Sequence, residues 1–139
     1  MLASGSSPAK VRQVTFDGTC IKNSYAYDLQ LEYVDGLTVR GCQFTDGGRR
    51  GDGVSNYSLN LGAGVENFLV QGNRWDSLNW RFQYLVFVNN AASKGLIQGN
   101  QFQSISTTAV NSACIYKNTA TDVTLSDNQN TSGGLLNYP

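Results

Sequence analysis

Two stretches of the chain gather side chains able to do chemistry. Residues 45 to 57, T-D-G-G-R-R-G-D-G-V-S-N-Y, carry Asp46, Arg49, Arg50 and Asp52 and end on Tyr57. Residues 76 to 84, D-S-L-N-W-R-F-Q-Y, add Trp80, Arg81 and Tyr84. Carboxylates beside arginine forks and aromatic rings suit an acidic or neutral polysaccharide. Rings stack on sugar faces, guanidinium forks hold carboxylates or orient hydroxyls, and a pair of carboxyl groups can perform acid–base hydrolysis. Taken singly, each residue also has a plainer reading: a solvated turn residue or, for Trp80, a ring packed under its own loop.

Composition removes several other chemistries. The chain has no histidine, which excludes Ser-His and Cys-His nucleophiles and His-ligated metal sites. The three cysteines, Cys20, Cys42 and Cys114, lack C-x-x-C spacing and are too few for a disulfide framework. Cys20 and Cys42 read as small hydrophobic packing residues. The run G-G-R-R-G-D-G, residues 47 to 53, occurs once, without the neighbouring copies that would complete a calcium site. No metal and no cofactor is therefore expected. Ten basic and ten acidic residues cancel, so nothing favours nucleic acid as a partner. No run approaches the roughly 18 apolar residues of a membrane-spanning helix, so no membrane insertion is expected. Arg50-Gly51-Asp52 spells an adhesion tripeptide, which a glycine-rich turn produces readily by chance. Asn56-Tyr57-Ser58 and Asn130-Thr131-Ser132 fit the N-glycosylation pattern, which matters only in a eukaryotic secretory route.

The elements that must position these groups are announced by repetition. L-V-Q-G-N-R-W at residues 69 to 75 returns as L-I-Q-G-N-Q-F at residues 96 to 102. Anchored on Gly72 and Gly99, the pattern extends to V-T-F-D-G-T-C-I around Gly18, L-T-V-R-G-C-Q-F around Gly41 and V-T-L-S-D-N-Q-N around Asp127. Two residues before the anchor stand Phe16, Val39, Val70, Ile97 and Leu125. Three residues after it stand Ile21, Phe44, Trp75, Phe102 and Asn130. The anchors lie 23, 31, 27 and 28 residues apart, so a constant unit is separated by connections of variable length. The longest interval contains the 45 to 57 excursion, and long loops on a repeat scaffold commonly carry function.

Each unit alternates apolar and polar residues as a half-buried strand does. At its centre, Gly-Asn or Asp-Asn tolerates positive φ and predicts a sharp bend into a second short strand. Further alternating runs precede the units: D-L-Q-L-E, S-L-N-L-G, Y-L-V-F-V and C-I-Y-K, starting at residues 28, 58, 84 and 114. Charged residues are only 14% of the chain and glycines number 15, a composition of strands and turns rather than solvent-facing helices. Three short strands per repeat and no helix predict an all-β, right-handed parallel β-helix of about five coils, with Asn73, Asn100 and Asn128 in one column. A β-sandwich would explain the alternation, but it gives no reason for five copies in one register.

These Φ-x-Φ-x-G-N-x-F units resemble the coils of the pectin-lyase-like right-handed β-helix superfamily. Their Asn-rich, cysteine-poor style is similar to phage tailspike and tail-fibre depolymerases. The resemblance spans residues 11 to 131 and is structural. It departs from a complete enzyme of that kind in having few coils and no N-terminal capping helix. The resemblance implies a sugar chain along the first strand of each coil and its adjacent loops. In this sequence that face carries Asp28, Gln30 and Glu32, then Ser58 and Asn60. Candidate catalytic carboxylates are accordingly Asp28, Glu32 and Asp52. Candidate sugar-contacting residues are Arg49, Arg50, Tyr57, Trp80, Arg81 and Tyr84.

The organisation expected is a linker over residues 1–10, coils over 11–131 and a tail or cap over 132–139. The uncapped coils suggest a piece of a longer protein, or ends covered in a homotrimer such as tailspikes form. The leading expectation is a tailspike-like segment at a virion tail that recognises a bacterial surface polysaccharide and, in a longer protein, cleaves it as hydrolase or lyase. The alternatives are a non-catalytic trimerisation module of a tail fibre, and a secreted cellular lyase or epimerase fragment.

Overall fold

The computed structural model describes residues 2–4, 9–47, 57–76, 82–91, 93–103, 113–131 and 135–137. The chain is a parallel β-helix. In chain order its strands are β1 (Leu2–Ser4), β2 (Val11–Asp17), β3 (Cys20–Lys22), β4 (Tyr27–Glu32), β5 (Val34–Arg40), β6 (Gln43–Thr45), β7 (Tyr57–Leu61) and β8 (Glu66–Gln71). They continue as β9 (Arg74–Asp76), β10 (Tyr84–Val88), β11 (Lys94–Gln98), β12 (Gln101–Gln103), β13 (Ala113–Lys117), β14 (Asp122–Ser126), β15 (Gln129–Asn130) and β16 (Leu135–Asn137). Every third strand joins the same sheet. The first sheet runs β1-β4-β7-β10-β13-β16, the second β2-β5-β8-β11-β14 and the third β3-β6-β9-β12-β15. All pairings are parallel, so each coil contributes one rung to each sheet.

The anchor column explains why the chain turns where it does. Gly18, Gly41, Gly72, Gly99 and Asp127 all have φ between 55° and 63°. A Cβ added at Gly18, Gly72 or Gly99 would meet nothing within 4 Å, so glycine is there for its backbone freedom and not for space. Asp127 fills the same slot because Asp is among the few other residues that tolerate it.

Side chains stack on either side of this bend. Phe16, Val39, Val70, Ile97 and Leu125 pair rung to rung in the second sheet. Ile21, Phe44, Trp75 and Phe102 do so in the third. Val39, Val70 and Ile97 are wholly buried, whereas Phe16 and Leu125, at the two ends of their stack, are only partly covered. The Phe44 and Trp75 rings lie 4.5 Å apart and nearly parallel, and Phe102 continues the stack 4.9 Å further on. Such offset stacks add to the burial of three large rings.

Between these ladders runs a column of amides. Asn73 Nδ2 donates to Val39 O and Asn100 Oδ1, and Asn100 Nδ2 donates to Val70 O and Asn128 Oδ1, all at 2.9 to 3.0 Å. Each amide oxygen also accepts the backbone N–H of the rung before: Cys42 to Asn73, Asn73 to Asn100, and Asn100 to Asn128. The buried bend thus satisfies its polar groups with side chains, where a sheet ladder cannot reach.

At the two ends of the first sheet, Leu2–Ser4 forms β1 and pairs with β4, and Leu135–Asn137, within the expected tail or cap, pairs with β13. One expectation needs revision. Cys20 is exposed, its Sγ 4.0 Å from Gln43 Oε1, so only Cys42 and Cys114 are packing residues. A second left-handed column, Gln13, Gly36 and Asn67, sits at positions that the pairing of β2, β5 and β8 skips.

Candidate functional site

The first sheet does not alternate simply. Its rungs pair Tyr27 with Tyr57, Tyr57 with Tyr84 and Tyr84 with Ala113; the next residue is skipped, and pairing resumes at Leu29, Leu59, Val86 and Ile115. At each skipped position the side chain turns inward, and so does the one after it. Leu85 and Val86, and Cys114 and Ile115, all belong to the interior core. The step restores the outward direction at Gln30, Asn60, Phe87 and Tyr116. The outer face therefore has two columns, Tyr27-Tyr57-Tyr84-Ala113 and Gln30-Asn60-Phe87-Tyr116.

The rings on this face form an apolar cluster distinct from the interior core. Tyr57 and Tyr84 stack with centroids 5.8 Å apart and planes 13° from parallel. Tyr27 continues the row 6.0 Å from Tyr57. Phe87 lies 4.2 Å from Tyr57 and 5.5 Å from Tyr116, and Tyr84 lies 4.6 Å from Tyr116. Tyr84 and Phe87 are buried, whereas Tyr27, Tyr57 and Tyr116 keep part of their surface open. Polar groups flank the rings. Gln30 Nε2 donates to Glu32 Oε1 at 3.2 Å, and Asn118 Nδ2 donates to Asn89 Oδ1 at 2.8 Å.

Beneath the face lies Asp28, only 2% exposed. The same inward step that buries Leu85 buries this carboxyl, which alternation assigned to the outer face with Gln30 and Glu32. Ser58, at the equivalent place one coil on, is buried too, and its hydroxyl makes a short hydrogen bond to Asp28 Oδ2. The indole Nε1 of Trp75 donates to the same hydroxyl at 2.8 Å. An indole N–H can only donate, so Ser58 Oγ must accept it and its own proton is directed at Asp28. Asp28 Oδ1 has no hydrogen-bond partner among the described residues. Burial pushes the Asp28 carboxyl up to about 6, partly offset by the hydroxyls of Ser24 and Ser58.

Of the expected site residues, the structure brings Tyr57 and Tyr84 together, keeps Glu32 on the outer face, and withdraws Asp28 from it. Arg49, Arg50, Asp52, Trp80 and Arg81 lie outside the described residues. Tyr27, Phe87 and Tyr116 were missed. The signal for Tyr27 and Phe87 is present in Y-D-L-Q-L, Y-S-L-N-L and Y-L-V-F-V, which share one register beginning at the tyrosine; Tyr116 holds the place of Phe87 in A-C-I-Y-K. A separate cleft of about 430 Å³ on the second sheet is lined by Ala9, Lys10, Arg12 and Asp35. There Lys10 is already engaged by Glu66 at 2.5 Å, and the described lining offers no ring for a sugar. Among the described residues no group of three or more Cys, Asp or Glu could hold a metal ion, and no helix is long and apolar enough to cross a membrane. No protein-family model, curated protein or solved structure matches the chain.

Proposed function

We propose that this chain is a carbohydrate-recognition segment of a tailspike-like β-helix, and that its ligand is a bacterial surface polysaccharide laid across the outer face of the first sheet. The observation that supports this reading is the Tyr27-Tyr57-Tyr84 row with Phe87 and Tyr116 beside it. Aromatic side chains turned outward on a sheet gain nothing from the interior core. Part-open rings flanked by Gln30, Glu32, Asn89 and Asn118 present what a sugar chain needs: apolar faces for its C–H surfaces and amides and a carboxylate for its hydroxyls. Homotrimeric assembly and a place at a virion tail belong to the same reading.

Recognition is favoured over cleavage. Hydrolysis by paired carboxylates requires two of them flanking the scissile bond. With Asp28 inside the coil, Glu32 is the one described candidate carboxylate left on this face.

A panel of bacterial capsular and lipopolysaccharide glycans, followed for both binding and chain length, tests the proposal. Binding without shortening is expected, and Tyr27→Ala with Tyr57→Ala should weaken it about tenfold or more while leaving the fold intact. Failure to bind any glycan, with sedimentation showing a stable trimer, would replace this reading with that of a structural module. Shortening of the chains would restore the enzyme.

A further inference from the structure

Resting on that reading, we propose that Asp28 is a proton-responsive positioning residue, which through Ser58 holds Tyr27 and Tyr57 in the attitude that binds the glycan. The geometry begins with the inward step of the first sheet. Tyr27 and Tyr57 immediately precede the residues that make this step, so whatever occupies the inward position sets the direction of each ring. In the next two coils the occupants are Leu85 and Cys114, held only by packing. In the coils of Tyr27 and Tyr57 they are Asp28 and Ser58, joined by a hydrogen bond directly beneath that pair of rings.

That bond is closed off on its inner side. Trp75 Nε1 holds Ser58 Oγ in place. On the outer side Gly47 leaves no room for a side chain: a Cβ there would stand 2.5 Å from Asp28 Oδ1 and 2.7 Å from both Ser24 Oγ and Phe82 Cζ. A protonated Asp28 fits this space. Its Oδ2 accepts from Ser58 and the proton resides on Oδ1, so no charge is buried. Ionisation places a negative charge in this closed space, where the neutral hydroxyls of Ser24 and Ser58 only partly offset the cost of burial. Relief of that charge would strain the Asp28–Ser58 link that joins β4 to β7.

No described charged group is positioned to compensate. The strands and turns packed on Asp28 bring Tyr25, which is exposed, and Asp46, whose charge has the same sign. Arg74 and Asp76 on the Trp75 strand are paired with each other at 2.9 Å near the surface. Glycan binding should therefore be stronger in acid than in base, with the change centred near pH 6.

Two measurements test this on the whole chain. Intrinsic tryptophan fluorescence between pH 4 and 8 should show one transition near 6, absent in Trp75→Phe and in Asp28→Asn. Affinity for the capsular and lipopolysaccharide panel should fall about tenfold from pH 5 to pH 8 in the unaltered chain and stay flat in Asp28→Asn, which keeps shape and hydrogen bonding without the charge. Ser58→Ala, which breaks the link and leaves the carboxyl, should bind weakly at both pH values. A fluorescence transition that survives in Asp28→Asn overturns the proposal, as does a transition accompanied by pH-independent affinity. If no glycan binds at either pH, the carbohydrate reading fails. Positioning is then decided by hydrogen exchange at the amides of Tyr27 and Tyr57, whose protection relative to the base-catalysed intrinsic rate should fall above pH 6 only while Asp28 is intact.

Discussion

Two buried polar columns run through this β-helix, and they are built on opposite terms. At the bend between the second and third sheets, Asn73 and Asn100 are 1% and 0% exposed, and every amide hydrogen-bonding role that the rungs offer is filled. At the inward step of the first sheet, Asp28 and Ser58 are as deeply buried, yet Asp28 Oδ1 has no described partner. The amide column repeats because each Asn both receives from the rung before and gives to the rung after. The carboxyl–hydroxyl pair does not repeat: the next coils replace it with Leu85 and Cys114. A satisfied network is neutral at every pH and serves rigidity alone. An incompletely satisfied carboxyl stores a response to protons.

The largest effect expected breaks both columns at once. Val70 lies in the shared interior and is wholly buried, so Val70→Asp places an unpaired charge in the core. It should cost on the order of 5 kcal/mol, enough to leave the chain unfolded by circular dichroism. Asn100→Ala separates the columns. It strips partners from Val70 O, Asn128 Oδ1 and both nitrogens of Asn73, and should cost about 3 to 4 kcal/mol in urea unfolding with no change in pH dependence.

The Asp28 column should behave in the reverse way. Its folded carboxyl titrates near 6 against an ordinary 3.8, so between these values the folded chain holds more protons than the unfolded one. Stability contributed by this group is complete below about pH 3.8 and is lost as pH rises through about 6. The loss amounts to roughly 3 kcal/mol by pH 8. Thermal melts at pH 5 and 8 should show it, and Asp28→Asn should abolish the difference while matching or exceeding the unaltered chain at pH 8. The smallest effect expected is at the surface pair of Arg40 and Asp17, 2.6 Å apart and both exposed. Asp17 is held below the ordinary carboxylate range, first by its hydrogen bond with Arg40. Arg40→Ala should nevertheless leave the melting temperature unchanged at physiological salt, because solvent screens such pairs.

The fold was legible because its determinants are local and repeated. Gly72-Asn73 and Gly99-Asn100 state both requirements of the bend in two letters: positive φ, then an amide to serve the buried backbone. Asp127-Asn128 states the same in a copy without glycine. The register of Val39, Val70 and Ile97 follows from that anchor. The face of the first sheet was harder to read. Alternation from Asp28 placed Asp28, Gln30 and Glu32 together on the outside. The double inward step after Tyr27 sends Asp28 into the interior, and Tyr27 rather than Asp28 joins Gln30 outside. A shared initial tyrosine in three of the runs is the available clue, but alternation is equally regular when two of them are read from Asp28 and Ser58.

The sequence by itself determined the period, the bends and the interior ladders. Tolerance of positive φ and apolar character are properties a residue carries wherever it stands. Only the tertiary structure decided that Asp28 is buried and that Tyr27, Tyr57, Tyr84, Phe87 and Tyr116 meet outside. The space that receives the carboxyl is closed by Gly47, Ser58, Trp75 and Phe82, and no short stretch of chain contains them all. The ring cluster likewise exists only because parallel coils bring strands remote in sequence to the roughly 4.8 Å spacing of a sheet.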